Sequence, residues 1–156
     1  MRKNLLKFSG FTLIELMVVI SIIAILATVG IVSYQVVLKN SRDARRLGDL
    51  RTIQTGLEQY FADQLFYPSA IGSSLTNCTG GVTGCTVSKT YLNIVPTDPL
   101  TSGWTAYNFG KQPDTCDNNT ATKCTSYCLY ARFEITPSAP ATCVPTAPLN
   151  FSVTLP

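Results

Sequence analysis

Gly10-Phe11-Thr12-Leu13-Ile14-Glu15-Leu16 begins the run that decides how this chain folds, because from Phe11 to Leu38 the only charged side chain is Glu15. The run exceeds the roughly 20 residues that an α-helix needs to cross a bilayer. It is apolar on every face, which suits a membrane span or the core of a helical bundle. No proline occurs before Pro68, whose ring disfavours α geometry at Tyr67, so the helical reading extends from Phe11 to about Leu65.

From Lys39 onward the pattern turns amphipathic. Ala44, Leu47, Leu50, Ile53, Leu57, Phe61 and Leu65 recur at steps of three and four, with Tyr60 beside them. Arg42, Arg45, Arg46, Arg51, Glu58 and Asp63 fall mostly off that stripe, which is expected to pack on the domain that comes after it. At 1.5 Å per residue the helix is a rod of about 80 Å. Half of it is apolar all round, and a domain of this size cannot bury it, so it requires lipid or other copies of itself.

The rest of the chain reads as a small β-rich head. Tyr127, Leu129, Ala131, Phe133 and Ile135 alternate with Cys128, Tyr130, Arg132 and Glu134, the period of a half-buried strand. Thr105 to Phe109 alternates more weakly, and Phe151, Val153 and Leu155 alternate with Ser152 and Thr154. Three short strands predict a small antiparallel sheet with one face on the helix stripe. The fold class is therefore α+β: a long N-terminal helical spine, membrane-spanning in its first half and amphipathic in its second, against a sheet with stapled loops. The chain divides into four zones: a basic leader at 1–10, the apolar half of the helix at 11–38, the amphipathic half at 39–66 and the head at 67–156.

All six cysteines, Cys78, Cys85, Cys116, Cys124, Cys128 and Cys143, lie after the apolar run. An even count beyond an export segment reads as a disulfide framework in an oxidising compartment. Sequence alone leaves the connectivity open. Near-neighbour pairs (Cys78 with Cys85, Cys116 with Cys124, Cys128 with Cys143) are the expectation, because each closes a loop without regular structure. The chain has no histidine and no C-x2-C pair, which argues against a zinc site.

Charged residues are only 13% of the chain, and the mean hydropathy is +0.20. Soluble domains carry about 25% charge, so the apolar run dominates the balance. The formal net charge of +3 comes from Arg2, Lys3 and Lys7. Without them the side-chain charges balance, which gives no support for nucleic-acid binding. Without histidine no Ser-His or Cys-His nucleophile pair exists, and no Gly-rich phosphate loop appears, so the chain does not read as an enzyme. No cofactor or metal is expected.

The segment Lys7-Phe8-Ser9-Gly10-Phe11-Thr12-Leu13-Ile14-Glu15-Leu16 resembles the prepilin cleavage signature of type IV pilins and type II secretion pseudopilins. The resemblance implies that an inner-membrane prepilin peptidase cuts between Gly10 and Phe11 and methylates the new amine of Phe11. A basic leader would keep the N-terminus cytoplasmic, and glycine offers the protease an unobstructed backbone. Because the cut precedes the apolar run, the run is retained, unlike an ordinary secretory signal. The resemblance also implies that Glu15 pairs with the Phe11 amine of a neighbouring subunit. A bare carboxylate among apolar side chains costs several kcal/mol unless paired.

The function implied by the resemblance is that of a structural subunit. It would enter the inner membrane as a single-pass protein, meet the prepilin peptidase and an assembly platform, and polymerise with copies of itself into an extracellular filament for adhesion, motility or DNA uptake. Tyr91-Leu92-Asn93-Ile94-Val95-Pro96-Thr97-Asp98-Pro99, with Trp104 and Tyr107, resembles the pseudopilin segment after the helix. A periplasmic pseudopilus for protein export is therefore an alternative, and a single-pass binding protein that never polymerises is another. Asp114, Asp117, Asn118 and Asn119 form an oxygen-rich loop that lacks a recognised calcium pattern and reads as a solvated turn. Asn77, Asn118 and Asn150 begin N-x-S/T triplets but are not read as glycosylated. Many pilins carry a proline about twenty residues into the mature chain. Here Val32 takes that place, and Gly30 is the weak point nearby. Trp104 and Tyr130 are expected to pack in the core rather than bind ligands.

Overall fold

The structure, a computed structural model, describes residues 10–79, 84–100, 107–118, 122–135, 143 and 149–154. The leader at 1–9, Trp104, Asn119 and Leu155 lie outside the described residues. One helix, α1, runs from Leu13 to Gln64. The chain divides into two units, Met1–Leu38 and Lys39–Pro156.

In the first unit, α1 is long and apolar enough to cross a membrane by length and composition. Its large apolar side chains are exposed, from Leu13 at 73% through Val19 at 47% to Val37 at 61%, so the described residues leave them uncovered. Two hydroxyls within the run are satisfied by the helix itself. Ser21 Oγ donates to the Met17 carbonyl (2.7 Å) and Thr28 Oγ1 to that of Ile25 (2.7 Å). The helix continues through Gly30.

The second unit holds the core. Strands β1 (Leu75–Thr76) and β2 (Thr90–Leu92) form a two-stranded ladder, which the sequence pattern does not predict. Strands β3 (Asn108–Gln112), β4 (Ser126–Ala131) and β5 (Phe151–Thr154) form a separate antiparallel sheet in the order β3-β4-β5. Phe109 faces Leu129, and Leu129 faces Val153. Disulfides join Cys78 to Cys85, Cys116 to Cys124 and Cys128 to Cys143, the near-neighbour arrangement. The architecture is α+β, with small antiparallel sheets, stapled loops and one long helix.

Leu50, Ile53, Leu57 and Tyr60 on α1 are fully buried against Leu75, Tyr127, Leu129 and Ala131. Phe61 stacks on Tyr67 with centroids 4.7 Å apart, and Tyr67 meets Tyr127 edge-on at 4.8 Å. Glu58 accepts hydrogen bonds from both phenols, Tyr67 at 3.1 Å and Tyr127 at 3.0 Å. Burial, followed by the nearby Glu58 carboxylate, pushes both phenols above the ordinary tyrosine range.

Three expectations need correction. Ala44 and Leu65 are exposed, and Leu47 is only half-buried. The buried seam on α1 is instead Asp43, Arg46, Leu50, Ile53, Leu57 and Tyr60. Ala44 lies one position round the helix from that seam, and Leu65 lies past the helix end at φ 62°. Arg46 therefore sits in the seam, not off it. The second correction concerns β3, which runs Asn108–Gln112, past the expected end at Phe109, and pairs Gly110 with Cys128; Thr105 and Ala106 lie outside the described residues. A Cβ on Gly110 would come within 3.1 Å of the half-buried Tyr130 ring, so glycine admits that ring. Third, β4 ends at Ala131, short of Ile135. The Asn150 side chain accepts from Phe133 N–H (2.7 Å) and donates to its carbonyl (3.0 Å), and Asp43 then captures the next two amides.

Arg46, fully buried, centres an ion cluster. Its Nε and Nη2 grip the Asp98 carboxylate at 2.7 and 3.0 Å, and its Nη1 reaches Asp43 (2.7 Å) and Glu134 (3.2 Å). Arg42 makes a second two-point grip on Glu134, at 2.5 and 2.6 Å. Burial alone would lower the Arg46 pKa, but its hydrogen bonds to Asp98, Asp43 and Glu134 outweigh that and raise it. The hydrogen bonds from Arg42 hold Glu134 below the ordinary carboxylate range.

Candidate functional site

The candidate site is the start of α1. Gly10, Phe11 and Thr12 precede the helix in non-helical backbone, and Phe11 is 86% exposed. Thr12 is the residue before the first helical position, where a hydroxyl can accept an orphan backbone N–H. Its Oγ1 accepts from Glu15 N–H at 3.3 Å. Glu15 reaches back, and its Oε2 accepts from Thr12 N–H (2.9 Å) and from the Thr12 hydroxyl (2.7 Å). The pattern Thr-x-x-Glu is thus a reciprocal capping box. Such caps contribute about 0.5–2 kcal/mol to a helix.

Phe11, Ile14, Glu15, Val18 and Val19 line a shallow concavity of about 330 Å³. Apart from Glu15 this lining is apolar, so the carboxylate is the group there able to hold a cation. Phe11 and Glu15 stand four residues apart, and both border that concavity. The sequence resemblance marks Gly10, Phe11 and Glu15 as expected processing and assembly residues, whereas it does not mark Thr12. Its signal is nevertheless present, since Thr12 stands three residues before an acid and an apolar run comes next.

The asparagines of the head have other work. Asn118 donates from its side chain to the Tyr67 carbonyl (2.8 Å) and accepts from Cys124 N–H (3.0 Å), so it braces the Cys116–Cys124 loop. The Asn77 side chain accepts from the Ser88 and Lys89 amides at 3.0 and 3.2 Å, and that of Asn150 is held by Phe133. All three N-x-S/T asparagines are thus engaged with backbone. Among the described residues no group of three or more His, Cys, Asp or Glu is placed to hold a metal ion.

Residues 5–31 match the prokaryotic N-terminal methylation motif. The chain is 31% identical over 81 residues to the probable minor fimbrial protein of Dichelobacter nodosus, covering 52% of this chain and 49% of that one. It is 45% identical over 49 residues to fimbrial protein Q of Moraxella bovis, covering 31% of each. The chain therefore spans about half, or less, of the length of these curated relatives. No solved structure matches. The motif lies over the capped start of an exposed apolar helix and the relatives are fimbrial proteins, so the chain is similar to proteins of the type IV pilin family.

Proposed function

We propose that this chain is a structural subunit of a type IV pilus-like filament, not an enzyme. The leader at 1–10 is removed by a prepilin peptidase between Gly10 and Phe11, and the new Phe11 amine is methylated. The segment 11–38 holds the subunit in the inner membrane until an assembly platform passes it to the growing filament. There the Glu15 carboxylate meets the Phe11 amine of the next copy. The amphipathic half at 39–66 and the head at 67–156 form the exposed part, which serves adhesion, motility or DNA uptake outside the cell.

One observation carries this reading: a charge-free apolar surface on every side of the helix, interrupted by a single carboxylate four residues from Phe11. An apolar surface of that extent is satisfied by lipid or by identical neighbours. A lone carboxylate within it requires a cation. The fimbrial names of the relatives favour a filament over a pseudopilus.

The test is Glu15→Ala in cells that make the protein. Leader removal, read by intact mass, is expected to proceed, and the chain is expected to accumulate in the membrane. Few or no filaments should form, because each contact strands one buried amine at a cost of several kcal/mol. Filaments in wild-type number would show that apolar packing alone drives assembly. A mature chain that retains Met1 to Gly10 would sink the pilin reading.

A further inference from the structure

We propose that the ion cluster around Arg46 is an acid-released latch: it holds two straps, Asp98–Leu100 and Glu134–Ile135, on the α1 seam at neutral pH and frees both before the apolar core opens. The inference rests on how the carboxylates are used. Asp43 on α1 accepts the backbone N–H groups of Glu134 (3.0 Å) and Ile135 (2.9 Å). Asp98 accepts the N–H of Leu100 (2.8 Å) while Arg46 grips it from the helix. Glu134 is held by Arg42 and Arg46 together. Both straps are thus fastened to the helix through ionised carboxylates.

The groups facing the cluster come from every neighbouring element. Helix α1 presents Arg42, Asp43, Arg46 and, one turn on, Asp49, which accepts from the Tyr107 hydroxyl (2.7 Å). The chain after β2 presents Asp98, the approach to β3 presents Tyr107, and the chain after β4 presents Glu134 with Arg132 two residues before it. Within the latch three carboxylates face two guanidiniums. Guanidinium does not lose its proton in proteins. Acid therefore removes the anions and leaves both cations, so the cluster passes from an excess of one negative charge to two uncompensated positive charges. Arg42 is 28% exposed and can turn to solvent. Arg46 is fully buried and reaches water only if the straps move.

The core seam below has no such trigger. Leu50, Ile53, Leu57 and Tyr60 pack on apolar partners. Arg42 holds the Glu134 carboxyl below its ordinary range. The latch is therefore shut above the ordinary carboxylate range and opens as pH falls through the depressed value. Reclosure is favoured because Cys143 stays bonded to Cys128.

Residue-resolved amide hydrogen exchange on the full chain in detergent micelles tests this, at pH 7 and pH 3 with intrinsic rates corrected. Protection at Leu100, Glu134 and Ile135 is expected to fall about tenfold or more, while the β4 amides of Tyr127 to Ala131 keep theirs within about twofold. Glu134→Gln at pH 7 should reproduce part of the loss at Glu134 and Ile135. Straps and β4 losing protection together would mean global acid unfolding and overturn the latch, as would straps fully protected at pH 3. Wild-type strap protection in Glu134→Gln at pH 7 would overturn it too. If that variant does not fold, the wild-type exchange series alone decides.

Discussion

Replacing Arg46 with methionine keeps most of the side-chain volume and removes the charge. The cost depends on what each partner retains. Asp43 keeps the Glu134 and Ile135 amides, and Glu134 keeps Arg42. Asp98, with its side chain 4% exposed, loses its two-point grip and keeps, among the described residues, the Leu100 amide. One uncompensated buried carboxylate costs about 3–5 kcal/mol, a large share of the roughly 5–15 kcal/mol that holds a domain folded. Arg46→Met is therefore expected to lose about 3–5 kcal/mol. Adding Asp98→Leu removes the stranded charge and leaves the Leu100 amide without its acceptor, at about 1–3 kcal/mol. The double variant should thus be more stable than Arg46→Met alone, by about 1–3 kcal/mol. Urea denaturation of the full chain in detergent, followed by near-ultraviolet circular dichroism, measures all four corners of the cycle. A loss below about 1 kcal/mol for Arg46→Met, or additive losses in the double variant, would refute the claim that a desolvated charge pair is being broken.

Leu65 takes φ 62° at the end of α1 with its side chain 78% exposed. Leu65→Gly should therefore stabilise by about 0.5–1 kcal/mol in the same urea assay, since glycine adopts this conformation without steric cost and little burial is lost. At alkaline pH, Tyr60 is pushed up to about 12 by burial and by Tyr91, and Tyr107 and Tyr127 are raised further by burial beside Asp49 and Glu58. Their raised folded values mean stability is intact below the usual phenol value near 10 and falls as pH climbs above it. Absorbance near 295 nm should show this group ionising late, in step with loss of near-ultraviolet circular dichroism.

The features legible in the sequence are local in the chain. The apolar run with its single acid lies in one stretch, and the alternation Tyr127, Leu129, Ala131 needs no partner to be seen. The seam from Leu50 to Tyr60 likewise repeats within a few turns. The features that escape depend on distant chain. An arginine near a helix stripe reads as solvated, and beside Asp43 it is Asp98, 52 residues on, and Glu134, 88 residues on, that make its burial tolerable. The β1–β2 ladder has two and three residues, too few for a period. Strand β3 is misplaced by pattern alone because Gly110 and Lys111 break the alternation, while its register is set by pairing with β4. Thr12 is in plain view, but it sits inside a processing signature that conceals its role as a cap.

Cys128 points away from the face that Tyr127 and Leu129 present to the helix, yet it is fully buried. Its bond to Cys143 fixes a residue 15 positions later in the sequence to that side of the strand. Here cystine does what a further layer of secondary structure does in a larger domain. The consequence is one of timing. While the thiols remain reduced, Cys143 is held to the sheet by its two hydrogen bonds with Ser152 and by no covalent bond. Oxidation therefore completes the head, and a chain in which this bond fails to form keeps a looser outer face on β4.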